Sequence, residues 1–247
     1  WGTTQIVTVL CFNSSGAPAD AYFTLSFARP QSTAHPAGYV WANNPTGSSY
    51  TPSVSYQFNS SGAQNTITRL GTGSYDVQLP NLGASSGHVQ VTAYGSGSAR
   101  CRVAGWWPSG TTEQVNVRCI TSTGAPVDSV YTMTYVKGTS LDGGPASSSA
   151  YAWANGPTSS SYTPSYPYQF NSSGAPNTIT RLGTGSYAVS LPNQNLSYGD
   201  VQVTAYGSVA DSCQVASWNP SRGVVVACFS STGVAVDTSY DVSFVHG

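Results

Sequence analysis

Charge is the scarcest property of this sequence: Lys, Arg, Asp and Glu make up 7% of 247 residues, and the net charge is −1. No basic field exists to draw in nucleic acid or an anionic membrane surface, so neither is expected as a partner. Long apolar runs are missing too. Nothing approaches the roughly 20 residues of a membrane span, and neither a signal peptide nor a hydrophobic tail is found. There is one methionine, Met133, and the chain opens at Trp1, which reads as a processed product or a fragment. No window repeats its apolar residues with a helical period. Catalytic signatures are equally scarce. The sequence has no HExxH, P-loop or EF-hand pattern, and His35, His88 and His246 have no partner at a telling spacing. No catalytic residue, metal or cofactor is expected and the chain does not read as an enzyme, although a carboxylate pair for glycoside hydrolysis can come from anywhere in a chain.

What the chain does contain is β-forming. Hydrophobic residues are 39% of the total, and 16 Tyr and 6 Trp stand among abundant Ser, Thr, Gly and Asn. That mixture suits half-buried strands joined by polar turns. HVQVTAY (88–94), SYDVQLP (74–80) and EQVNVRC (113–119) alternate apolar and polar residues, and glycines such as Gly71 and Gly73 mark tight turns between them.

The chain also repeats itself. QFNSSGAPNTITRLGTGSY at 169–187 occurs at 57–75 with Gln64 in place of Pro176. A long segment from Trp41 to Trp106 recurs from Trp153 to Trp218, and a short one begins at Cys11, Cys119 and Cys228. The order short, long, short, long, short predicts whole units at 39–137 and 151–247. Residues 1–29 are then a partial unit, the C-terminal hairpin of a preceding one, with linkers at 30–38 and 138–150. The expected fold is all-β: tandem two-sheet antiparallel sandwiches of Ig-like type, about 110 residues per repeat, with strands of 39–80 in one sheet and of 87–137 in the other. The alternative is a β-propeller with about two blades per repeat.

Cys101 and Cys119 straddle one turn and Cys213 and Cys228 another, so each pair faces across a hairpin and two disulfides are expected, Cys101–Cys119 and Cys213–Cys228. Such bridges place the protein outside the reducing cytosol. Cys11 stands where Cys119 and Cys228 stand and is left unpaired. Asp20, Asp128 and Asp237 recur in register after the turn glycine of the short segment, where a carboxylate caps turn amides; the competing role is an ion pair with Arg69 or Arg181 of the long segment. Asn13, Asn59, Asn171 and Asn195 each begin an Asn-x-Ser sequon, a sugar acceptor only in a eukaryotic secretory route and a turn residue otherwise.

The combination RLGTGSYxVxLP, VQVTAYG, CxVAxW and CFxSxGxxxDxxYxVxFV resembles tandem β-repeat regions of large secreted proteins of actinobacteria and myxobacteria, over nearly the whole chain. The resemblance implies a secreted bacterial repeat protein, and it carries over no catalytic residue. Aromatic residues give the functional hint. Trp41, Tyr50, Tyr56, Trp153, Tyr162 and Tyr166 lie in loop-like stretches rich in hydroxyls and amides, a surface on which sugar rings or protein partners dock. The tryptophans Trp41, Trp106, Trp153 and Trp218 read equally as filling between sheets. The function expected is adhesion or carbohydrate binding by a secreted, non-enzymatic repeat protein whose partner is a glycan or cell surface. Two alternatives stand beside it: a structural subunit of an extracellular filament or stalk, joining copies of itself end to end, and an accessory region of a secreted hydrolase.

Overall fold

A computed structural model describes residues 4–27, 34–139 and 148–246. Its strands fall into two groups of the same order. The first group is β1 (Ala37–Ala42), β2 (Ser49–Tyr50), β3 (Gln57–Asn59), β4 (Thr66–Gly71), β5 (Ser74–Leu79), β6 (His88–Tyr94), β7 (Arg100–Ser109), β8 (Thr112–Ile120) and β9 (Val130–Val136). The second is β10 (Ser148–Ala154), β11 (Ser161–Tyr162), β12 (Gln169–Asn171), β13 (Thr178–Gly183), β14 (Ser186–Ser190), β15 (Asp200–Ala205), β16 (Ser212–Asn219), β17 (Gly223–Phe229) and β18 (Tyr240–His246). β1 and β10 begin inside the expected linkers, because the small residues that precede their tyrosines look like linker in sequence. Linker residues 30–33 and 140–147, together with 1–3, 28–29 and Gly247 of the expected units, lie outside the described residues.

Each group is an antiparallel two-sheet sandwich. In the first unit a four-stranded sheet, β3-β1-β9-β6, faces a five-stranded one, β2-β4-β5-β8-β7; the second unit repeats this as β12-β10-β18-β15 and β11-β13-β14-β17-β16. The strands of 39–80 are therefore not confined to one sheet: β1 and β3 lie opposite β4 and β5. Period-two alternation dictates which face of a strand is buried but is silent about its partners, and the chain crosses between sheets at every connection except β4–β5, β7–β8 and their counterparts. A propeller blade joins neighbours in chain order, whereas β1 is paired with β3 and β9. Val40, Ile67, Val77, Val89, Val115 and Tyr131 meet between the sheets of the first unit, and Ala152, Ile179, Val189, Val201, Val226 and Tyr240 between those of the second.

The long repeated stretch owes much of its polar content to a buried network. Asn65 is fully buried: its amide N–H donates to Gln57 Oε1 (2.7 Å), its Nδ2 donates to the carbonyls of Tyr39 (3.3 Å) and Phe58 (2.9 Å), and its Oδ1 accepts from Asn59 Nδ2 (3.0 Å). Gln169, Asn171 and Asn177 repeat the arrangement. Asn59 and Asn171 thus spend their side chains inside the fold. Asn65→Ala keeps the backbone bond to Gln57 but removes the side-chain partner of Asn59 and of the Tyr39 and Phe58 carbonyls, and should lower unfolding free energy by about 2–3 kcal/mol in urea titration, as should Asn177→Ala.

A second recurring network joins short to long segment. Asp128 accepts from Arg69 Nε (3.0 Å) and Nη2 (2.8 Å), from the Gly73 amide (2.9 Å) and from the Tyr75 hydroxyl (3.1 Å). Asp237 does the same with Arg181, Gly185 and Tyr187. The carboxylate caps a turn and pairs with arginine at once. The arginine, the turn amide and the tyrosine hydroxyl hold Asp128 and Asp237 down at about 2. Gly73 and Gly185 are required: their φ values are 65° and 66°, and a Cβ would collide with the carbonyls of Cys119 and Cys228.

Residues 4–27 add no strand to these sheets, and Phe12 and Pro18 form an isolated bridge matching Ile120–Pro126 and Phe229–Ala235. The three corresponding turns nevertheless meet. Gly16 abuts Ser122, Gly124 abuts Ser231 and Gly233 abuts Ser14, so each turn touches the next and the third returns to the first. The three turns therefore close a ring around an approximate three-fold axis.

Candidate functional site

The clefts of this surface are open. One among the described residues runs between the two units, lined by Thr92, Arg100, Arg102, Thr204 and Asp211 among others, and another lies at the meeting of the three turns. The densest grouping of aromatic chemistry is instead a cup on the outer face of each four-stranded sheet. Alternation along β10 turns Ala152 and Ala154 into the core and Trp153 outward. A single 3-10 turn, Tyr166–Tyr168, brings Tyr168 to within 5.0 Å of the Trp153 ring, and Tyr206, just past β15, reaches 5.0 Å from the other side. Trp41 with Tyr56 (4.8 Å) and Tyr94 (5.4 Å) spells the same cup in the first unit.

The second unit's cup is occupied by the first unit. Trp106, carried on β7 just past a β-bulge between Val103 and Gly105, packs edge-on against Trp153 (5.4 Å), Tyr168 (5.9 Å) and Tyr206 (5.4 Å). It is 7% exposed and also touches the core of its own sandwich.

Around this plug the edge strand β6 docks on the face of the next sheet. The Val91 amide donates to Thr204 Oγ1 (3.2 Å), whose hydroxyl donates to Gln90 Oε1, while Gln90 Nε2 donates to the Asp241 carbonyl (3.3 Å). Backbone bonds run from Gly207 to Val103 (2.9 Å) and from Gly87 to Pro167 (3.1 Å). His88 stacks on Tyr151 (5.3 Å), and its Nδ1 lies 3.4 Å from Asp241 Oδ1, an ion-pair separation with no hydrogen bond. Asp241 is fully buried, which pushes its carboxyl up to about 6 against the pull of His88. Arg102 is buried beside this seam, and neither terminal nitrogen has a hydrogen-bond partner among the described residues. Burial lowers it to about 10, with Asp211 across the cleft pulling the other way.

The second unit repeats the contact on the N-terminal segment. Gln202 Nε2 donates to Thr24 Oγ1 (3.2 Å), which donates to the Val201 carbonyl (2.7 Å), and Thr24 corresponds to Asp241 when both are counted from their cysteines. Edge strands β6 and β15 are thus both covered by side chains of the next member, head to tail.

The structure separates the six aromatic candidates. Trp41 and Tyr56 share the first cup, and Trp153 lies under Trp106 in the second. Tyr50 and Tyr162 are loop clamps whose hydroxyls accept from the amides of Asn44 (3.1 Å) and Gly156 (3.0 Å). Tyr166 is 89% exposed. Of the four tryptophans read as filling between sheets, Trp41 and Trp153 fill cups outside the sandwiches, and Trp106 and Trp218 pack on the cores. Tyr94, Tyr168, Tyr206, Trp106 as a plug and the pair His88–Asp241 do not stand out in the sequence. Superposing the two long segments aligns the cup residues, but nothing in one chain says which tryptophan fills a cup. Trp1 precedes Cys11 by the interval at which Trp218 precedes Cys228, and it lies outside the described residues.

Compared with protein-family models, with curated proteins and with solved structures, the chain finds no match.

Proposed function

We propose that the protein is a secreted, non-enzymatic repeat scaffold whose units recognise one another head to tail. The observation that carries this reading is the Trp106 plug in the Trp153–Tyr168–Tyr206 cup, together with the same cup spelled again by Trp41, Tyr56 and Tyr94. An aromatic cup filled by a neighbouring unit is a protein-recognition site, and a heterologous contact of this kind builds rings or filaments according to whether its rotation closes. The two disulfides and the near-absence of charge suit a structural role in an oxidising compartment.

The test is small-angle scattering with thermal melting. Trp106→Ala should release the two sandwiches from each other, raise the radius of gyration and broaden the melting transition as the units come to unfold independently, while Tyr166→Ala changes neither. A Trp106→Ala chain as compact and as cooperative as the parent would end the scaffold reading. The second reading, adhesion to glycans, is favoured by the exposure of Tyr56 and Tyr166; it requires array binding that Tyr56→Ala or Tyr166→Ala abolishes and Trp106→Ala leaves intact.

A further inference from the structure

Residues 4–27 carry the apolar pattern of a sandwich hairpin without its sandwich. Counted from the cysteines, Val7, Val9, Phe23, Leu25 and Phe27 correspond to Val115, Val117, Tyr131, Met133 and Tyr135, and to Val224, Val226, Tyr240, Val242 and Phe244. The ten counterparts are at most 1% exposed. In the N-terminal segment the same positions are 48%, 36%, 59%, 49% and 66% exposed. Two polar positions repeat the discrepancy. Cys11 is free where Cys119 and Cys228 are bridged, and among the described residues Asp20 has no arginine where Asp128 and Asp237 each hold one. Yet the segment is not adrift. Its turn takes the third place around the axis, Arg100 Nη2 donates to the carbonyls of Asn13 (3.3 Å) and Ser14 (3.2 Å), and Thr24 occupies on β15 the place that Asp241 occupies on β6.

We propose that this face is the acceptor for a polypeptide of the long-segment type, one like 37–109 or 148–219, which completes a third sandwich. The two finished units define the occupant's chemistry. It supplies strands like β1 and β6 to flank 21–27 and strands like β5 and β7 to flank 5–11. It also brings a cysteine to meet Cys11 and an arginine to meet Asp20. With a disulfide such as oxidised glutathione as oxidant, the two thiols give up two protons and two electrons to form the bridge, and the glutathione leaves as two reduced molecules. The edge strand of the completed unit would then reach the outer face of the first sandwich, where Thr132 corresponds to Asp241 and is exposed between Trp41 and Thr92 in register. The third-unit position rests on the head-to-tail reading; the open hairpin face does not.

The experiment appends a second copy of residues 138–219 after Gly247 of the full chain and refolds it with reduced and oxidised glutathione. Disulfide mapping should find Cys11 joined to the cysteine of the appended copy, with Cys101–Cys119 and Cys213–Cys228 retained. Amides of 5–11 and 21–27 should exchange about 100-fold more slowly than in the unextended chain. Leu25→Ser with Phe27→Ser should abolish the new bridge and spare the other two. Cys11 still alkylated by iodoacetamide in the folded, extended chain would overturn the proposal. So would an unextended chain that is dimeric with 21–27 already protected, since a second copy would then be the occupant. Should the appended copy aggregate, a synthetic peptide of residues 87–95 added to the unextended chain must slow exchange across 21–27 more than its scrambled form does; equal exchange overturns the proposal as well. Trp106→Ala in the extended chain keeps the Cys11 bridge even where it frees the units, so the two readings fail separately.

Discussion

Replacing His88 by alanine should destabilise the protein by about 2 kcal/mol at pH 8, where a buried carboxylate loses its polar neighbour, and by less at pH 5. Asp241 lies on the outer face of β18, where it would meet solvent were the first unit not docked over it. Docking buries the carboxyl completely and raises it from 3.8 to about 6. A group whose folded value is raised binds its proton more tightly in the folded state. Its contribution to stability is therefore fully present below about pH 4 and is lost as pH rises through about 6. His88 works against that loss by placing a ring nitrogen 3.4 Å from the carboxylate, held by Tyr151 beneath and by Gln90 Nε2 at 2.9 Å. With Gln90 Nε2 donating to the ring Nε2, Nδ1 is the nitrogen that turns an N–H toward the carboxylate, and the charge above pH 6 loses that dipole when the ring is removed. Below that pH the neutral acid leaves only the lost stacking, roughly 1 kcal/mol. Urea unfolding of His88→Ala at the two pH values measures the difference, and His88→Ala with Asp241→Asn should remove it. Equal losses at both pH values would mean that the pair contributes packing and not charge. Because the two residues come from different sandwiches, alkaline pH should also open the contact between the units before either sandwich unfolds.

Much of the fold is legible without the structure, and the boundary of legibility has a physical cause. Alternation in HVQVTAY or EQVNVRC states which residues face the core, because a strand's side chains alternate whatever it pairs with. It states nothing about partners, so the expected division of strands between sheets differs from the observed one. β1 and β9 are paired through Val40 and Met133, far apart in the chain, and no local signal joins them. The cysteine pairs are readable because a hairpin fixes register locally: Cys101 lies directly opposite Cys119, and Cys213 opposite Cys228. Asp128 is readable in part, since position after a turn glycine announces a cap while Arg69 arrives from another sheet strand. The cups are readable only after the fact. Trp41, Tyr56 and Tyr94 are spread over three elements, and an aromatic facing away from a sandwich core has the same period as one facing solvent. His88 and Asp241 are the least readable of all, because the contact that buries them belongs to neither unit alone.

Reduction of both disulfides should lower stability by about 3 kcal/mol per bridge, one bridge in each sandwich, a large fraction of the roughly 5–15 kcal/mol that holds an ordinary domain folded. The bridges close loops with sequence separations of 18 and 15, so the chain entropy that each removes from the unfolded state is nearly the same, and neither unit should melt far ahead of the other. Melting curves with and without a phosphine reductant measure the effect; Cys119→Ala and Cys228→Ala should each reproduce half of it, and Cys11→Ser none. The opposite result, an unchanged melting temperature on reduction, would show that burial of Cys119 and Cys228 as small apolar groups is what the fold requires of them. The distinction bears on compartment as well as stability. A sandwich that unfolds when reduced can persist only where disulfides persist, and a third hairpin with its cysteine still free depends on the same oxidising conditions to be sealed.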